Sequence, residues 1–272
     1  MIGVVGSGLV GQSIVPAGTY VAGAATSATE IGLVEDEAGS LYLLDLPTPT
    51  VTQIASGLPV AARIVFSPSG TWGVAYAAGG SSVTVISGLT GQTAVSTITA
   101  PQMLAAAIVS DAGTVLAATQ STPSRVGTLS SGGQFRLVAS VDALGGMSFL
   151  AGVDDALLAD ADTNAVSRVS KVSGSAVVQE LASTGVDRPV ALANSLDGRW
   201  GLVVNGGDAN IIRIDLTGAT ANAKVACACQ PSGASMLHGG KAFRLNDVSA
   251  GPVWIADLSG TSPQMVFVPA TH

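Results

Sequence analysis

Residues 194–218 read NSLDGRWGLVVNGGDANIIRIDLTG, and residues 66–91 read FSPSGTWGVAYAAGGSSVTVISGLTG. Each opens with a four-residue turn ending in glycine, Ser195-Leu196-Asp197-Gly198 or Ser67-Pro68-Ser69-Gly70. A tryptophan follows, Trp200 or Trp72, then Gly and a short apolar run. Each closes on an alternating run, NIIRIDL at 210–216 or SVTVIS at 82–87, before a second glycine turn. Glycine supplies the positive φ that tight hairpins need. Period-two alternation marks a half-buried strand.

The pattern repeats along the chain. The first turn recurs as Ser110-Asp111-Ala112-Gly113, and its place is taken by Gly152–Asp155 and by His238-Gly239-Gly240. Gly70, Gly113, Asp155, Gly198 and Gly240 are spaced by 43, 42, 43 and 42 residues. Gly91, Gly133, Gly174, Gly218 and Gly260 keep the same beat. Four short strands per repeat of this length is the signature of a propeller blade. The sequence therefore predicts an all-β fold, a β-propeller of four-stranded antiparallel blades, as a single domain over 1–272. Full repeats are expected at about 17–58, 59–100, 101–143, 144–187, 188–230 and 231–272. Residues 1–16 read as a partial leading blade, because GLVGQS at 8–13 resembles GLTGQT at 88–93. The expected ring has six or seven blades. The last repeat ends in QMVFVP at 264–269, which reads as its own outer strand.

The two quoted stretches resemble the YVTN and WD40-like propeller repeats of bacteria. Asn205 and Asp215 fit that pattern, whereas Ala77 and Ser87 depart from it. The resemblance implies a propeller over about residues 17–270. It also implies a location outside the cytoplasm if a leader has been removed. Members of the wider superfamily are lactonases, lyases or binding modules.

Composition excludes several classes. The chain has 272 residues, 47% of them hydrophobic and only 11% charged, which argues against disorder. Its net charge of −7 and lack of a basic stripe argue against nucleic-acid binding. Residues 1–29 carry no charge, but Gln12, Ser13 and Pro16 interrupt them, so neither a leader peptide nor membrane insertion is expected.

In a propeller, the loops after the second and fourth strands surround the channel on one face. Acids and amides gather at the ends of the second strands and in the loops after them: Glu35, Asp36 and Glu37, then Asp160 and Asp162, Asn205 and Asp208, and Asn246 and Asp247. Converging near the axis, they would form an oxygen-rich site suited to Ca²⁺. The alternative is that they hold turns through backbone hydrogen bonds. Arg63, Gln102 and Arg188 fall near the starts of first strands on the same face and could meet an anion. Cys227 and Cys229 are placed in an outer strand, at the upper edge of disulfide reach, about 6.5–7 Å between Cα atoms. Structural thiols are the default reading, with a transient redox pair or a soft-metal half-site as alternatives. His238 sits in a turn on the opposite face, and His272 is the only other histidine. Neither a Ser nucleophile elbow nor a histidine on the channel face is found. The expectation is thus a non-enzymatic module that binds a protein or small ligand on one face, without a required cofactor. The alternatives are a metal-assisted lactonase or hydrolase using the channel-face acids, and a purely structural envelope domain.

Overall fold

The computed structural model describes residues 18–26, 28–237, 239–246 and 252–269. The leading segment 1–16, His238, Asp247 and His272 lie outside them. The described residues form a six-bladed β-propeller with no helix. Blade one comprises β1 (Tyr20–Thr26), β2 (Ile31–Asp36), β3 (Leu41–Asp45) and β4 (Thr50–Ala55). Blade two comprises β5 (Arg63–Phe66), β6 (Gly73–Tyr76), β7 (Ser82–Ser87) and β8 (Ala94–Thr99). Blade three has β9 (Leu104–Val109), β10 (Val115–Thr119), β11 (Ser124–Leu129) and β12 (Phe135–Val141). Blade four has β13 (Leu144–Phe149), β14 (Ala156–Asp160), β15 (Ala165–Ser170) and β16 (Val177–Ala182). Blade five has β17 (Pro189–Asn194), β18 (Trp200–Asn205), β19 (Asn210–Asp215) and β20 (Ala223–Ala226). Blade six has β21 (Ser235–Met236), β22 (Ala242–Arg244), β23 (Val253–Asp257) and β24 (Gln264–Val268).

Each sheet is an antiparallel meander in sequence order. The sixth is no exception, since β24 pairs with β23 from Val253↔Val268 to Asp257↔Gln264. This topology sorts the connections. Turns between first and second strands, and between third and fourth, share one face, the bottom. Loops between second and third strands, and the links between blades, share the other, the top.

The bottom turns explain why the repeat is visible in the sequence. Ser67 and Ser195 each donate a backbone N–H to the tryptophan carbonyl, at 2.9 and 2.8 Å. Their hydroxyls accept the Trp72 and Trp200 N–H at 3.2 and 2.9 Å. Gly70 and Gly198 complete the turns at φ of 72° and 68°. The turn after β19 is tied by Asp215, which accepts the N–H and hydroxyl of both Thr217 and Thr220. Those bonds, Thr217 foremost, pull the Asp215 carboxyl down to about 2.

Second strands are buried on both faces because each blade is sandwiched between neighbours. GVAY at 73–76, VLAAT at 115–119 and WGLVVN at 200–205 are buried throughout. Outer strands such as β16 (VVQELA) stay half exposed. The five seams between consecutive blades each hold a cluster of buried apolar side chains. Removing apolar surface from water here contributes about 25 cal/mol per Å². Polar clasps reinforce the seams. Arg213 reaches from β19 to the carbonyls of Leu258, Gly260 and Thr261 in blade six while lying 4.0 Å over the Trp200 ring. Arg136 on β12 donates to the Val172 and Gly174 carbonyls of blade four in the same way.

The cysteines correct the sequence expectation. They are joined by a disulfide rather than free, with Cα atoms 5.1 Å apart. Strand β20 ends at Ala226, so Cys227 and Cys229 lie beyond it. Outside the extended conformation the two Cα atoms draw closer than the spacing of an ideal strand, into disulfide range.

Candidate functional site

On the top face, a cavity of about 340 Å³ opens where blades three and four meet. Blade three supplies Gln120, Ser121 and Thr122 from the loop joining β10 to β11, Ser124 from the start of β11, and Ala105 from β9. Blade four supplies Asp142, Ala143 and Leu144 from the segment entering β13, and Asp162 from the loop after β14. It is a shallow depression open to solvent rather than an enclosed pocket.

Asp160 positions the acidic wall. It closes β14 and turns its carboxylate onto four backbone N–H groups. Oδ2 accepts from Asp142 at 2.8 Å, and Oδ1 accepts from Ala143 at 3.2, Asp162 at 3.0 and Thr163 at 3.3 Å. Burial works to raise its pKa, but these donors outweigh it and the net shift is downward. One carboxylate thereby fixes both chain segments that carry Asp142 and Asp162. The side chains of those two residues take no hydrogen-bond or ion-pair partner among the described residues, and no lysine or arginine lines the cavity.

The opposite wall is held by hydroxyls. Thr119 Oγ1 accepts the Arg125 N–H at 3.0 Å and lies 2.7 Å from Ser121 Oγ. Ser121 Oγ donates to the Pro123 carbonyl at 2.8 Å, and Ser124 Oγ to the Ser121 carbonyl at 3.1 Å. The wall is therefore polar, neutral and locally braced. Ala105, Ala143 and Leu144 supply the apolar part of the lining.

The other sequence candidates are dispersed. Asp36 ties its own hairpin, accepting from Ala38 N–H at 3.0, Ser40 N–H at 2.8 and Tyr42 hydroxyl at 3.1 Å. The Ser40 N–H, the largest influence, holds its pKa down. Glu35 is fully buried at the seam with blade two. Its Oε1 accepts the Ala61 N–H at 3.0 Å, and Oε2 has no partner. Burial pushes its pKa up. Asn205 donates to the Gly185 carbonyl at 2.8 Å and to Asp208 at 3.1 Å, and Asp208 also pairs with Lys224. Asn246 holds Pro252 and Trp254 backbone groups. Arg63, Glu37 and Gln102 are exposed, and the Arg188 side chain is 70% exposed beside Asp187. Of the acids and amides named from the sequence, only Asp162 lines the cavity, and Asp160 holds its wall from behind. Among the described residues, no three acidic, histidine or cysteine side chains come together as a metal site. Asp142, Gln120, Ser121 and Ser124 were not singled out by the sequence. Asp142 stands in a blade-to-blade link on the same face, and scanning those links for acids would have found it.

No protein-family profile matches the chain, and no curated protein matches it in sequence. Solved structures share its fold. Virginiamycin B lyase from Staphylococcus aureus is similar with a TM-score of 0.66 and 14% identity, over 93% of this chain and 85% of that one. The Swd1 β-propeller domain from Myceliophteria thermophila gives a TM-score of 0.67 at 13% identity, over 93% and 87%. A protein of unknown function from Desulfotomaculum acetoxidans gives 0.63 at 15%, over 92% and 78%. The class of protein is thus the β-propeller. At these identities the likeness establishes that fold and nothing finer.

Proposed function

We propose that this propeller is a binding module whose top-face cavity takes a positively charged group of a small ligand or a partner protein. The observation that carries the reading is the pair Asp142 and Asp162, unpartnered and held at one cavity by Asp160. Two carboxylates without a neighbouring cation attract an amine or guanidinium, and the neutral wall of Ser121, Ser124 and Gln120 offers further hydrogen bonds. The net charge of −7 favours the approach of such a partner. Asn205 and Asp215 support kinship with YVTN-type repeats, and the disulfide supports a compartment outside the reducing cytosol.

The test is a thermal-shift panel of amines, guanidines, Ca²⁺ and neutral sugars on the intact protein. A rise in midpoint with the cations, lost in Asp142→Asn/Asp162→Asn, supports the reading. A response to neutral sugars alone refutes it. Metal-assisted hydrolysis by the same acids would need further ligands for the metal. Enzyme-like turnover of a lactone by the purified protein would overturn the binding reading.

A further inference from the structure

Cys227 and Cys229 are the only cysteines of the chain, and their disulfide closes a loop of three residues. The stabilisation a disulfide gives by restricting the unfolded chain shrinks with the loop it closes, so this one is a poor staple. Nor does it join two blades across a seam, because both cysteines lie in the link leaving β20. Its position points to another role. Cys227 is 4% exposed and packs in the seam between blades five and six with Trp200 and Phe243. Cys229 is only partly buried. The Cys227 N–H donates to the Ala209 carbonyl at 2.8 Å. Ala209 has φ of 50°, a left-handed conformation unusual for alanine. Two residues before the strand end, Lys224 pairs with Asp208, which also accepts from Asn205. The end of β20 and the disulfide segment therefore hold the top-face loop 206–209 at Asp208 and Ala209, while the Gly206 and Gly207 N–H groups donate to the Arg188 and Asp187 carbonyls.

We propose that Cys227–Cys229 is a thiol–disulfide exchange site whose redox state sets the order of that loop. A thiolate of an external dithiol attacks Cys229 Sγ, the more accessible sulfur. The sulfur–sulfur bond breaks, and its electron pair passes to Cys227 Sγ, which takes up a proton. The second thiolate of the dithiol then attacks the sulfur of the mixed disulfide and expels Cys229, which is protonated in turn. Two electrons and two protons reach the protein, and the dithiol leaves as a cyclic disulfide. Cys227 departs into apolar surroundings that disfavour a thiolate, so the exchange is slower than at an open disulfide. With the small ring opened, the backbone at Cys227 gains freedom and its bond to Ala209 weakens.

Dithiothreitol followed by iodoacetamide on the native protein, read by mass spectrometry, tests the first half. Hydrogen exchange of the oxidised and reduced forms tests the second. The expected result is alkylation of both cysteines with the circular dichroism of the sheets retained. Exchange should be about tenfold faster at Cys227 and the 206–209 loop, and unchanged in blades two to four. Alkylation that requires a denaturant concentration unfolding the whole protein would overturn the proposal. So would complete reduction with exchange unchanged at 206–209.

Discussion

The Asp111 carboxylate, in the third blade, accepts both the backbone N–H and the hydroxyl of Ser69 in the second, at 2.7 and 2.6 Å. Its other oxygen receives the Gly152 N–H of the fourth blade at 3.4 Å. One side chain thus links three consecutive blades across the bottom face. Burial works to raise its pKa, but the Ser69 donors prevail and the net shift is downward. Asp111→Ala should cost about 2 kcal/mol, the scale of hydrogen bonds to a charged group. A depressed pKa contributes stability that is present above the unfolded value of about 3.9 and lost as pH falls through the folded one. Denaturant melts between pH 7 and 2 should therefore show the gap between wild type and Asp111→Asn closing on the acid side.

Gly145 on β13 lies against β17. A Cβ there would stand 2.3 Å from the Pro189 carbonyl oxygen, a backbone atom that cannot step aside. Gly145→Ala should destabilise by about 2 kcal/mol through overpacking. Gly91→Ala, where a Cβ meets nothing within 4 Å, is the control and should be close to neutral. Equilibrium unfolding in urea separates the two.

Glu35 shows the opposite electrostatics. Burial raises its pKa, so its contribution is present below the unfolded value of about 4.3 and is lost as pH rises through the folded one. Glu35→Gln keeps an acceptor for the Ala61 N–H and removes the buried charge. The midpoint at pH 7 should rise by about 2–4 °C, with no gain at pH 3. Thermal melts at both values check the sign.

Much of the propeller was legible because its signals are local. A serine that binds the N–H five residues on, followed by a turn glycine, marks a blade wherever it occurs, as at Ser67 and Ser195. The site was legible only in part. Asp160 and Asp36 stand at strand ends named from the sequence, but their oxygens are turned onto backbone N–H groups and, for Asp36, the Tyr42 hydroxyl. Which acids stay free depends on how two blades meet, as with Asp142 and Asp162, and no spacing within one repeat encodes that. Cys227 and Cys229 were misread for a related reason. Strand geometry was extended past Ala226, where the chain has already turned towards blade six.

The central claim is that the acidic cavity between blades three and four binds a cationic group. Calorimetric titration of wild type and of Asp142→Asn/Asp162→Asn with arginine amide, and with a lysine-rich peptide, at low and high salt tests it most directly. The account predicts one site on the wild type, weakened by salt and lost in the variant, and the two titrants distinguish a free small molecule from a protein segment. Equal affinity in the variant, or no heat with either cation, would contradict it.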